Sequence, residues 1–292
     1  RENERYFNLE SDYSVVSQLG YVSESCEKYL FLTFHHIAFD GWSQSNFFNS
    51  LKASYDDLMG GKDMPSQLSG PQYVDYAVWE QSTDGQSSYS EGVSYWEDKL
   101  ANRPSAVTFP KLKDFPDNGN KGAIFTDRVD SITVSAIREN ERMTNTTLFT
   151  HIFSALSATL HRYTNASDII IGSAFANRAV SNTDKMVGFF VNPVPLRVTF
   201  SNGVSFSELF KLSNTSITEA IGYQSTPMTK TVEQRDKNSE LFKVMVTLQN
   251  NKSVIQEFAG GRFDILEVDK TVSENDVTLN LWEDDGELNC KW

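Results

Sequence analysis

Residues 29–34 read YLFLTF, a nearly continuous apolar run, and residues 35–41 then break it with HHIAFDG. A run of this kind fits a strand covered on both faces. Past Gly41, Ser43 can cap a helix on which Phe47, Leu51, Tyr55 and Leu58 recur at helical spacing, until Gly60 and Gly61 stop the pattern. The chain is therefore committed early to strand, sharp turn and helix, with two histidines at the junction.

The rest of the pattern decides the fold class. Residues 72–81, QYVDYAVWEQ, and 94–100, SYWEDKL, read as helices rich in Tyr and Trp. Pro104, Pro110 and Pro116, among Asn, Asp and Gly residues, mark a surface connection. This divides the chain into a first lobe over 1–103, a linker over 104–122 and a second lobe over 123–292. In the second lobe, residues 128–134 alternate like a strand, and Thr147 caps a helix whose Leu148, Ile152, Ala155, Thr159 and Tyr163 share one face. DIIIGSA at 168–174 is a buried strand, 190–200 and 241–248 supply two more, and 276–292 form a hairpin about Asp284, Asp285 and Gly286. Ser205 and Glu208 make a capping box ahead of a helix through Phe206, Leu209, Phe210, Ile217 and Ile221. Strands and helices mix without strict alternation, which points to α/β layers with a mixed sheet.

Charge and cysteine usage exclude several function classes. The net charge is −13 and Lys111 with Lys113 is the densest basic pair, so no nucleic-acid partner is expected. Cys26 and Cys290 are the only cysteines and lie outside any CxxC spacing, which fits a reducing, cytoplasmic compartment. The opening RENERYFNLE holds no apolar core of a signal peptide, and no apolar run reaches membrane-spanning length, so no membrane partner is expected. A chain that opens without Met and reaches a strand so soon is expected to be a piece of something longer.

The chemistry of FHHIAFDGWS, residues 34–43, is narrow. Successive strand residues point to opposite faces, so His35 and His36 do not both line one cavity. Zinc would need further ligands, yet His151 and His161 fall on a later helix and both cysteines are remote, so no metal is expected. No GxSxG elbow is present. A histidine acting as general base or positioning group remains, and an unperturbed imidazole, near about pKa 6.5, suits neutral pH. Asp40 can brace the turn, Gly41 lets the backbone bend, and amides opening the next helix could face a developing oxyanion.

HHIAFDG fits the HHxxxDG pattern of condensation domains of nonribosomal peptide synthetases, with Trp42 and Ser43 following as is common there. Further segments resemble that family in order: YVDYAVWEQ with SYWEDKLA, DIIIGSAFANR, VGFFVNPVPLRV, YQSTPMTKTVEQ and RDKNSELFKVMVTLQN. The resemblance implies a chloramphenicol acetyltransferase-like, two-lobed α/β sandwich with mixed sheets, here with its N-terminal lobe incomplete. It implies an acyltransferase that joins a donor acyl thioester to the amine of an aminoacyl thioester. His36 would orient or deprotonate the amine, His35 would be mainly structural, Asp40 would hold the motif and Gly41 would line the thioester. Trp42, Ser43 and Asn192 would contribute to substrate binding. No intrinsic cofactor is implied; substrates arrive on the phosphopantetheine of donor and acceptor peptidyl carrier protein domains, beside an adenylation domain. Pro193, Tyr223 and Met228 depart from the family pattern. The Arg that usually pairs with the motif's Asp is expected in the absent part, leaving Asp40 without a partner. Two other readings stay open: an ester-forming acyltransferase of the same fold, and a truncated, non-catalytic scaffold or carrier-docking module.

Overall fold

The computed structural model describes residues 5–24, 27–63, 70–111, 121–201, 203–231, 240–249, 256–258, 261–263 and 272–292. Its strands are β1 (Val15–Val22), β2 (Glu27–Phe34), β3 (Thr126–Val129), β4 (Asp168–Phe175), β5 (Asn192–Thr199), β6 (Val244–Gln249), β7 (Gln256–Phe258), β8 (Gly261–Phe263), β9 (Val277–Asp284) and β10 (Glu287–Lys291). Its α-helices are α1 (Ser43–Met59), α2 (Tyr73–Gln81), α3 (Thr83–Ser87), α4 (Ser90–Lys99), α5 (Ser131–Thr144), α6 (Leu148–Thr164) and α7 (Phe206–Gly222). Contacts gather these elements into two compact units.

The first unit comprises Arg1–Ser82, Arg178–Val191 and Asn251–Lys270. β1 and β2 form an antiparallel ribbon in which Val15 faces Phe34 and Val22 faces Glu27. The apolar run of β2 is not covered on both faces as its composition suggests: among the described residues it pairs only with β1, and Leu30 and Phe31 stay 41% and 52% exposed. Where β2 ends, Phe34 stacks on Phe39 at 4.1 Å and meets the edge of Phe47 at 5.2 Å, so the turn folds back onto α1. α2 contributes Tyr73, Tyr76 and Trp79 to an aromatic cluster with Val180, Met186 and Phe190. The loop Arg178–Val191 thus belongs to the unit that carries the histidines.

The second unit comprises Thr83–Asn177, Asn192–Asn250 and Thr271–Trp292. Its six-stranded sheet has the order β3-β10-β9-β6-β4-β5. β6 runs parallel to both β9 and β4, and the outer pairs are antiparallel, so the sheet is mixed as the sequence indicates. Ile169, Ile170 and Ile171 on β4 are all buried, since helices and neighbouring strands leave neither face to water. They pack with Val194, Leu196, Val244 and Leu281 of the sheet and with Phe153, Leu160, Leu209 and Ile217 of α6 and α7.

Two helix starts follow the side-chain caps that the sequence predicts. Thr147 Oγ1 accepts the Thr150 N–H at 3.3 Å and Ser205 Oγ accepts the Glu208 N–H at 3.2 Å. Thr147→Ala is expected to lower stability by about 1 kcal/mol in urea denaturation, and Thr147→Ser to restore most of it.

Three further expectations need correction. Residues 128–134 are not one strand: β3 stops at Val129, and Asp130 accepts the Thr133 N–H at 2.8 Å to start α5, so a cap overrides the β-branched alternation of Ile132 and Val134. The buried face of α6 is only partly the expected one: Leu148 is buried, but Tyr163 is 65% exposed, and Thr150, Phe153, Ser154, Leu156, Ser157 and Leu160 are buried instead of Ala155 and Thr159. Small hydroxyl residues face inward there because α6 lies against α7, where Thr150 Oγ1 donates to Asn214 Oδ1 at 3.2 Å. Ser43 is not the cap of α1 but its first residue; the Asp40 carboxylate accepts its N–H instead. Of the connection expected at 104–122, residues 112–120, with Pro116, lie outside the described residues, as does Cys26.

Candidate active site

The two histidines part because the strand ends between Phe34 and His35. His35 still donates its N–H to Ser14 O at 2.8 Å, but its Nδ1 accepts the Ile37 N–H at 3.1 Å and so caps a short 3-10 turn, His36–Ala38. Its ring meets the edge of Phe7 at 5.7 Å. His35 is therefore engaged with its own backbone. His36, opening the turn, is exposed, and its ring meets Phe189 at 5.0 Å with an interplanar angle of 81°.

Asp40 lies beneath this turn, 1% exposed. Its Oδ1 accepts from the Ser43 N–H and from Arg178 NH2, both at 2.8 Å, and its Oδ2 accepts from Arg178 NH2 and the Phe190 N–H, both at 3.0 Å. The expected want of a partner for Asp40 is thus overturned: Arg178 forms a buried ion pair with it, the two side chains being 3% and 0% exposed. Arg178 also donates through NH1 to the carbonyls of Thr183 and Met186, and its guanidinium lies over the Phe190 ring at 4.2 Å from the centroid. Burial lowers the Arg178 pKa, and the Asp40 charge offsets only part of that.

Ser43 Oγ completes the network. It accepts from the Gly188 N–H and Arg178 NH2, both at 2.9 Å, and its one proton is shared between Asp40 Oδ1 and Gly188 O, both at 2.8 Å. A hydroxyl so engaged, on a residue with no exposed surface, braces the turn. Trp42 is 44% exposed and donates Nε1–H to Asp184 O at 3.0 Å, while Asn46 donates to the carbonyls of Asp184 and Met186. Gly41, just before Trp42, is exposed.

Asn192 belongs to the other unit, at the start of β5, where its Nδ2 donates to Gln224 O at 2.7 Å and Thr226 O at 2.8 Å. It is buried and fastens the 224–226 turn. Among the described residues, no group of three or more His, Cys, Asp or Glu is placed to hold a metal ion, and no helix is long and apolar enough to cross a membrane.

Chemically, the motif offers one exposed imidazole on a rigid base. Residue-by-residue reading missed Arg178, Tyr73 and Phe189, although all three lie inside segments with recognisable patterns. Only proximity in three dimensions gives them a role.

Comparison with known proteins agrees with the motif. The condensation-domain family model matches residues 1–292. Malpinin synthetase of Mortierella alpina is 31% identical over 294 residues, which is 98% of this chain and 4% of that protein. Chondramide synthase of Chondromyces crocatus is 28% identical over 294 residues, 97% of this chain and 7% of that protein. The chain thus spans only a small part of the curated relatives it matches. Among solved structures, the X-domain from teicoplanin biosynthesis shares the fold with a TM-score of 0.84 at 22% identity, over 99% of this chain and 69% of that one.

Proposed function

This chain belongs to the condensation-domain family, and we propose that it forms the amide bond between a carrier-bound donor acyl or peptidyl thioester and the amine of a carrier-bound aminoacyl acceptor. The observation that carries this reading is the division of labour in the motif: Asp40, Ser43 and Arg178 are buried and bonded to one another, and of the two imidazoles His36 is the exposed one.

In the proposed reaction the acceptor nitrogen attacks the donor carbonyl carbon. As the C–N bond forms, His36 takes the proton that the amine must lose, acting as general base or as the acceptor that orients the amine. The C–S bond then breaks and the donor arm leaves as a thiolate, which regains a proton. Asp40 does not touch the reactants; with Arg178 it holds the turn that aims His36. Asn192 contributes from its own unit by fixing the 224–226 turn.

The substrates would arrive on phosphopantetheine arms of donor and acceptor peptidyl carrier protein domains, next to an adenylation domain, in a cytoplasmic assembly. The experiment loads both carriers and measures product on the acceptor by intact-protein mass spectrometry, offering matched amine and hydroxyl acceptors. Dipeptidyl product on the amine acceptor is expected. Product only on the hydroxyl acceptor would make the chain ester-forming, and none on either, with both carriers loaded, would make it a scaffold or docking module.

A further inference from the structure

Among the described residues, the other ionisable groups of the motif do not hold the His36 ring. His35 is engaged with the Ile37 N–H, and Asp40 is engaged with Arg178, Ser43 and Phe190. The aromatic partner that meets the imidazole is Phe189, edge to face at 5.0 Å.

The Phe189 backbone is held on both sides. The residue before it, Gly188, has its N–H on Ser43 Oγ at 2.9 Å, and the residue after it, Phe190, has its N–H on Asp40 Oδ2 at 3.0 Å. The Phe189 carbonyl accepts the Tyr73 phenol at 2.8 Å. Tyr73, the first residue of α2, also lays its ring over Gly188, where an added Cβ would lie 2.1 Å from Tyr73 Cδ2, and packs edge-on against Phe190 at 5.0 Å. Gly188 is therefore what lets the tyrosine close over the loop. Burial, and then the charges of Glu80 and Asp40, raise the Tyr73 pKa, which keeps the phenol protonated and donating.

We infer that Tyr73, acting through Phe189, is a positioning residue for His36: its phenol fixes the Phe189 backbone, and the Phe189 ring fixes the imidazole. The catalytic part of this inference rests on the proposed amide-forming role of His36; the mechanical part does not.

The test uses Tyr73→Phe, which keeps the ring over Gly188 and Phe190 and removes one O–H, together with Phe189→Leu and Phe189→Tyr, in the full-length protein with loaded carriers. Loss of one hydrogen bond of about 1 kcal/mol predicts a kcat about fivefold lower in Tyr73→Phe, with KM unchanged. Phe189→Leu is expected to lower kcat further, and Phe189→Tyr to recover part of that loss. In a His36→Ala background Tyr73→Phe should add nothing, because the group it positions is gone. An equal fivefold loss in that background would overturn the inference, since it would mean that Tyr73 acts on something else.

A second readout needs no turnover. Carbethoxylation of His36 by diethyl pyrocarbonate, mapped by peptide mass spectrometry, should rise severalfold in Tyr73→Phe and Phe189→Leu while His151 and His161 keep their rates. An unchanged His36 rate, or an equal rise at all three, would overturn the positioning role. If the protein forms no amide at all, the proposed function fails, and the labelling result still decides whether Tyr73 positions His36.

Discussion

Arg178→Leu is expected to destabilise the protein by about 3–5 kcal/mol, because it leaves the Asp40 carboxylate buried without its counter-ion. The size follows from the surroundings. Asp40 is 1% exposed, and among the described residues only the N–H groups of Ser43 and Phe190 and the Ser43 hydroxyl would then donate to it. The substitution also removes the bonds from Arg178 to the Thr183 and Met186 carbonyls, leaving the latter to Asn46 alone among the described donors. Urea denaturation should show the loss. Arg178→Leu combined with Asp40→Leu should recover part of the stability, since replacing both charges by apolar groups removes the stranded one. Activity should not recover with it, because the bonds that hold Ser43 and the 188–190 backbone in place would be gone. If the single variant were as stable as the parent, the ion pair would not be the base on which the motif rests.

Much of this site could be read along the chain, and what could not has a common cause. The strand, turn and helix around FHHIAFDGWS follow from periodicity and from Gly41, and the separation of the two histidines was expected. The cause is not strand alternation: the strand stops at Phe34 and a 3-10 turn separates the two rings. Asp40's partner could not be read, because Arg178 lies 138 positions away and charge pairing over that distance leaves no trace in local pattern. The same holds for Tyr73 and Gly188, whose fit is a matter of a ring against a missing Cβ. In the sheet unit, β4 was evident from three consecutive isoleucines, and the caps at Thr147 and Ser205 from their chemistry. The face of α6 was not, since Ser and Thr look solvent-facing in sequence and here line a helix contact. Asp130 ended β3 early for a reason that favours local hydrogen bonding over β-branched propensity.

His36→Ala is expected to do the reverse of Arg178→Leu, leaving stability within about 0.5 kcal/mol while lowering turnover by about a hundredfold or more. Its ring is exposed and packs on Phe189 alone among the contacts described above, so its removal opens no cavity and strands no buried group. The chemistry it would lose is the acceptance of a proton from the attacking amine. The decisive measurement is single-turnover formation of the amide on the acceptor carrier, parent beside His36→Ala, with both carriers confirmed as loaded. A fall of about a hundredfold or more with unchanged loading and an unchanged denaturation midpoint is the predicted result. Amide formed by His36→Ala at the parent rate would contradict the account.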